Sequence, residues 1–194
     1  MKDVQTGTKD GKIQLKRYAP YTISSKYVTW LPMEKQYFQD YMPDNICFGC
    51  GAHNDAGLQI KSYWEGEEAV CVWNSQEKYQ GWPNILNGGV IATLIDCHCM
   101  GAAMAAAYRA EDRALDTSPV YRYATGTLNV KYLKPTPNNV PIILKAQIKE
   151  IKGRKTVLDC QVWADGVQTV DAEAIAIRVT DSSVKQVNNP FESA

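Results

Sequence analysis

The stretch NILNGGVIATLIDCHCMGAAMAAAY, residues 84–108, decides how the rest of the chain must fold. From Gly88 to about Arg109 it places alanine, isoleucine, leucine, cysteine and methionine on every face of a helical repeat, so it reads as a helix enclosed on all sides. Asn87 stands before it as an N-cap, a position where the side-chain oxygen satisfies free N–H groups of the first turn. A single carboxylate, Asp96, interrupts the apolar run. A buried charge without a partner is costly, so Asp96 needs a partner or a task. Residues 90–108 are long enough to raise the question of a membrane span, but Asp96, His98 and the strand patterns that follow favour the core helix of a globular domain.

The flanking sequence supplies what encloses the helix. LQIKSYW (58–64) and AVCVW (69–73) read as two short strands, and NSQEKYQGWPNIL (74–86) as the loop leading into the helix. A polar loop, 111–122, follows, and then four strand-like runs. The first, TGTLNVKYLKP, opens at Thr125 and ends at Pro135. In PIILKAQIKEI, the residues Ile142, Leu144, Ala146 and Ile148 alternate with polar neighbours; in KTVLDCQVWA, Leu158, Cys160 and Val162 do the same. QTVDAEAIAIRV comes last, and the short connectors KGR and DG predict an antiparallel meander of these three strands. The expected fold class is α+β, an antiparallel sheet of about six strands wrapped around one long central helix. Residues 1–45 differ in texture, with alternating charge and aromatics, and are expected to form an extended arm with a short helix near 33–41. The main domain is assigned to 46–185 and a C-terminal tail to 186–194.

Composition narrows the function. The chain has 194 residues, 45% of them apolar, with 21 basic and 21 acidic side chains. This balance argues against nucleic acid or a membrane surface as partner and leaves room for a local basic patch. The N-terminus carries no apolar secretory core, and six cysteines in a chain of this length read as reduced thiols in the cytoplasm.

The segment YQGWPNILNGGVIATLIDC followed by TGTLNVKYLKPTP resembles the acyl-CoA thioesterases of the phenylacetate-pathway and THEM type, which have the hotdog fold. The upstream CFGCGAHNDAGLQI is similar to a run that often precedes the domain in that group. The resemblance implies an acyl-CoA or related thioester substrate, no metal, no cofactor beyond the substrate's own coenzyme A, and an active site shared across a homodimer, with a dimer of dimers as a further level. It matches Asp96 to the family's general base or nucleophile, Gly88 and Gly89 to the backbone that polarises the thioester carbonyl, and Thr125 to a residue that orients water. Asn87 stands where the family has histidine, and Cys97 where members often carry glutamate.

The residues make a parallel case on their own. Gly88 and Gly89 have no Cβ, so an outside oxygen can approach the N–H groups at the positive end of the helix dipole. A developing thioester oxyanion suits that place. Asp96 lies eight residues further on, about 12 Å along the axis, too far to act on the same carbon within one chain. An antiparallel helix from a two-fold partner would bring the two together. Lys134, Arg154 and Lys155, at strand ends or in turns, are candidates for the phosphates of coenzyme A. Cys47 and Cys50 form one C-x-x-C, with His53 nearby, and Cys97 and Cys99 flank His98. Residues two apart on a helix point to different sides, so Cys97 and Cys99 chelate poorly together and no metal is expected. His98 reads as a core or interface histidine. Hydrolysis of an acyl thioester is thus the leading expectation. A non-catalytic acyl-CoA or lipid-binding hotdog protein, suggested by Asn87, is the alternative, and a structural zinc module on Cys47 and Cys50 is a third. The acyl chain, and the choice between coenzyme A and an acyl carrier protein, stay open.

Overall fold

The computed structural model describes residues 35–42 and 45–181, together with two-residue strands at Thr8–Lys9, Lys12–Ile13, Ile23–Ser24 and Tyr27–Val28. The chain divides into two compact units, Met1–Glu34 and Lys35–Ala194. In the first, the four short strands form two antiparallel ladders, Thr8–Lys9 with Lys12–Ile13 and Ile23–Ser24 with Tyr27–Val28. Of the expected arm, residues 35–42 and 45 belong to the second unit; apart from the four short strands, its other residues and the tail 186–194 lie outside the described residues.

In the second unit the strands are β1 (Ser62–Glu65), β2 (Glu68–Asn74), β3 (Gln80–Trp82) and β4 (Ile85–Leu86). After helix α1 (Gly88–Ala110) come β5 (Tyr121–Tyr132), β6 (Pro141–Lys152), β7 (Lys155–Ala164) and β8 (Val167–Asp181). Six of them form one antiparallel sheet in the order β1-β2-β6-β7-β8-β5, with β6, β7 and β8 as the expected meander. The sheet wraps around α1, which is the hotdog arrangement.

The pattern of burial follows from the alternation in the sequence. Ile142, Leu144 and Ala146 on β6 and Leu158, Cys160 and Val162 on β7 are fully enclosed, stacked against Leu94, Ile95, Ala102 and Tyr108 of α1. Apolar surface removed from water at about 25 cal/mol per Å² is what holds helix to sheet. The helix is long and apolar enough to cross a membrane, but 72% of its apolar window is buried within the fold.

A sheet covers only one side of a helix, and residues 35–42 and 45–64 help to cover the other. A short 3-10 helix, Phe38–Tyr41, packs against α1 with Phe38 and Gln39 fully buried. Gly101 makes this approach possible, since a Cβ there would stand 2.6 Å from Gln39 Nε2. Gln39 accepts the Ser62 backbone N–H at 2.7 Å and donates to Ser62 Oγ at 3.1 Å. Ser62 Oγ in turn shares a hydrogen bond of 2.9 Å with His98 Nδ1. His98 is therefore a core histidine tied to the covering segment. Leu58 and Ile60, read from the sequence as part of the first strand, bond instead to the carbonyls of Phe48 and Gly49, so β1 begins at Ser62.

Strand β5 starts at Tyr121, four residues before the expected Thr125, and contains a bulge. Thr127 pairs with Ile175 and Thr125 with Ala176, which leaves Gly126 as the extra residue. A bulge shifts the two-residue alternation by one. Tyr121, Tyr123 and Thr125 before it, and Leu128, Val130 and Tyr132 after it, accordingly all turn toward α1 and the core. Gly126 has no room for a side chain, as a Cβ would lie 2.9 Å from Ile177 Cγ1.

Burial holds His98 neutral in the folded state and pushes it down to about 4, opposed by the backbone of Ala69. The unfolded chain protonates this histidine below about pH 6.5, so the folded state loses stability as pH falls from there to about 4. The expected loss in that window is about 3 kcal/mol. Urea unfolding of the wild type and His98→Leu at pH 7 and pH 4.5 should show a shallower pH slope in the variant.

Candidate active site

The loop before α1 holds a hairpin that the linear pattern did not reveal. β3 and β4 pair around Pro83-Asn84, and Asn84 takes φ = 64°. Proline followed by a residue with positive φ is the chemistry of a type II turn, where asparagine substitutes for glycine. Asn84 is held further by its N–H on Gln80 Oε1 (2.7 Å) and its carbonyl on the Asn138 N–H (2.8 Å). This hairpin delivers Asn87, whose own N–H donates to the Tyr79 carbonyl at 2.9 Å.

Asn87 caps α1 as expected. Its Oδ1 accepts the N–H of Gly89 at 2.8 Å and of Val90 at 3.2 Å, and its carbonyl accepts the N–H of Ile91 at 3.1 Å. A helix leaves its first N–H groups without intrahelical acceptors. Here those of Gly89 and Val90 are taken, and among the described residues no acceptor meets the Gly88 N–H. With Oδ1 committed to the cap, the Asn87 Nδ2, which lies beside Gly81 of β3, keeps its hydrogens as donors. Tyr132, which sequence reasoning did not single out, donates its hydroxyl to the Gly88 carbonyl at 2.8 Å and lays its ring beside the glycine.

Asp96 lies two turns further on, partly exposed, and its Oδ1 accepts a hydrogen bond from Thr125 Oγ1 on β5. The Gly126 bulge is what faces Thr125 toward the helix. So Asp96 and Thr125 come together, as do Asn87, Gly88 and Tyr132, but the two groups stay apart. Thr125 and Tyr132 are seven residues apart on β5, about 23 Å along an extended strand. The cationic candidates divide in the same way. Lys134 follows β5 at the Gly88 end. Lys155 pairs with Ile177, which pairs with Ala124, so it lies two strands, about 10 Å, from the neighbour of Thr125. Arg154 is locked beside it, its Nε donating to the Arg178 carbonyl at 2.8 Å. Nothing on α1 or β5 merges these two half-sites within one chain.

A family model described as Thioesterase superfamily matches residues 83–171, from the turn between β3 and β4 through α1, β5, β6 and β7 into the first residues of β8. The crystal structure of a thioesterase superfamily protein from Shewanella loihica PV-4 is 33% identical, with a TM-score of 0.51, over 62% of this chain and 91% of that one. The chain belongs to the thioesterase superfamily. The acyl-coenzyme A thioesterase THEM4 of Mus musculus is 31% identical over 111 residues, 57% of this chain but 42% of that protein. This chain therefore aligns with less than half the length of that relative. The PaaI protein from the phenylacetic acid degradation operon of E. coli shares the fold, with a TM-score of 0.52 at 13% identity over 64% of this chain and 82% of that one.

The Pro83-Asn84 turn sets the entry to the half-site at Asn87. Asn84→Gly should leave stability near the wild-type value, while Asn84→Val should cost about 1–2 kcal/mol, because a β-branched residue resists positive φ. Urea unfolding midpoints for the two variants check this.

Proposed function

We propose that the protein hydrolyses an acyl-CoA, or a related acyl thioester, to the free acid and thiol. The observation that carries this reading is the Asp96–Thr125 hydrogen bond, which holds a carboxylate in an otherwise apolar helix against an exposed edge strand. Membership of the thioesterase superfamily and the similarity to a named acyl-CoA thioesterase support the reaction class.

The chemistry divides between the two half-sites. Asp96 takes a proton from a water molecule that attacks the thioester carbon, with Thr125 orienting the carboxylate and the water. Alternatively its oxygen attacks the thioester carbon directly, the C–S bond breaks and the thiolate leaves, and water then opens the mixed anhydride to release the free acid and restore the carboxylate. In either route the carbonyl oxygen gains charge at the Gly88 N–H, where the helix dipole favours it. The Nδ2 of Asn87 supplies a second donor at the position that the family motif gives to histidine. Gly89, whose N–H is held by Asn87 Oδ1, serves the cap first. Lys134, Arg154 and Lys155 would meet the substrate's phosphates, and no cofactor beyond coenzyme A is needed.

We infer that the half-sites meet across a homodimer. β5 is a long edge strand, and an unpaired edge of this kind invites a partner. A two-fold axis between Leu128 and Asn129 of β5 would set Thr125 of one subunit opposite Tyr132 of the other. Asp96 of one chain would then face Gly88 of its partner.

Release of free thiol from a panel of acyl-CoAs tests the activity, and Asp96→Asn should lower kcat by about 10²–10⁴-fold. Unchanged hydrolysis by Asp96→Asn would overturn the assignment. Tight acyl-CoA binding without turnover by the wild type would favour the non-catalytic reading suggested by Asn87.

Subunit mixing tests the shared site. Gly88→Ala fits the fold, because its Cβ would make only ordinary contact with the Tyr132 ring. If Gly88→Ala and Asp96→Asn are each inactive, mixing and reassorting them should restore about a quarter of wild-type activity, through the one intact site of each heterodimer. A mixture as inactive as its components would overturn the shared site.

A further inference from the structure

The geometry points to a three-thiolate site for a tetrahedral cation of the zinc class, formed by Cys47, Cys50 and Cys97. The expectation of no metal rested on Cys97 and Cys99 pointing apart on α1. The fold keeps them apart and supplies a different partner for one of them. The Sγ atoms of Cys47, Cys50 and Cys97 all lie within 4.8 Å of one another, with Cys47 and Cys97 at 3.8 Å. For zinc–sulfur bonds of about 2.3 Å in a tetrahedron, the sulfur–sulfur edge is about 3.8 Å. Cys50 and Cys97 are buried, and Cys47 is exposed.

The surroundings are built for sulfur as an acceptor. The Gly49 backbone N–H donates to Cys47 Sγ at 3.3 Å, and Asn45 Nδ2 donates to Cys50 Sγ at 3.3 Å. Donors aimed at two of the three sulfurs favour thiolates over neutral thiols. The Cys-x-x-Cys turn is closed by the Gly51 N–H on the Cys47 carbonyl at 2.7 Å. Gly49 has no side chain where Cys97 needs space, since a Cβ there would stand 2.4 Å from Cys97 Sγ. Two ligands from one tight turn and a third from a helix form a chelate in which the fold fixes the third position.

Binding would release the protons of those thiols still protonated, leaving three thiolates on the ion and the fourth position for water or another small ligand. The ion would clamp the loop around residues 47–50 to α1 one residue beyond Asp96. Its role is to position that turn of the helix, and no step of the proposed hydrolysis passes through it.

Metal content and coordination test the site without reference to activity. The chain, prepared reduced and without a metal-binding tag, is expected to hold about one zinc. X-ray absorption at the zinc edge should find three sulfur neighbours at about 2.3 Å. Cobalt(II) added to metal-free protein should give thiolate-to-cobalt charge-transfer bands. Cys47→Ala, Cys50→Ala and Cys97→Ala should each lower zinc content at least about tenfold, and Cys99→Ala should retain it. Absence of zinc after reconstitution under reducing conditions, or fewer than three sulfur neighbours, would overturn the site. So would a Cys47–Cys50 disulfide that binds no cobalt once reduced; this outcome assigns the pair to redox chemistry instead. The absorption measurement uses wild-type protein, so the proposal stays testable even if a cysteine variant does not fold.

Discussion

Helix α1 has almost no polar face to offer water, and the architecture of the 35–181 region is a response to that. An apolar cylinder must be covered all round, whereas a single twisted sheet covers only part of it. The sheet takes one side through Leu144, Leu158, Val162 and their neighbours. Phe38 and Gln39 take part of the other, admitted by Gly101 and anchored through Ser62 to His98. The C-terminal half of the helix is thereby enclosed from Gly101 to Tyr108, and the N-terminal half is left with an open strip that includes Gly89, Ala92, Thr93, Asp96 and Met100. The candidate base Asp96 lies along that strip, where the fold leaves the helix uncovered.

One residue on β5 makes the strip chemically useful. A regular strand of twelve residues facing the helix at Thr125 would present its other parity to solvent throughout, and Tyr132 would point away. Gly126 breaks the alternation, so Thr125 reaches Asp96 and Tyr132 reaches the Gly88 carbonyl from the same strand. The bulge joins local backbone geometry to the placement of both half-sites, and the crowding by Ile177 explains why the residue there has no side chain.

Much of the site could be read before any coordinates. The cap at Asn87 follows from its chemistry alone, and α1 runs Gly88–Ala110 where apolar pattern placed it. The meander was legible because β6, β7 and β8 alternate cleanly and join through short turns. The hairpin at β3 and β4 was not, because strands of three and two residues carry no period. Tyr132 was missed for a different reason. It lies on the wrong parity relative to Thr125 until the bulge is known.

The sequence by itself determined the local features: a buried helix with its start, a lone carboxylate within it, and strands with an inward face. These depend on residues within a few positions of one another, where periodicity and capping operate. Only the tertiary structure decided which distant residues meet. Thr125 is bonded to Asp96 across 29 positions, and Cys97 joins Cys47 across 50. Such pairings are set by how the sheet curls around the helix, by one bulge and by a glycine that leaves space for sulfur. None of these has a signature in the spacing of the residues that they bring together.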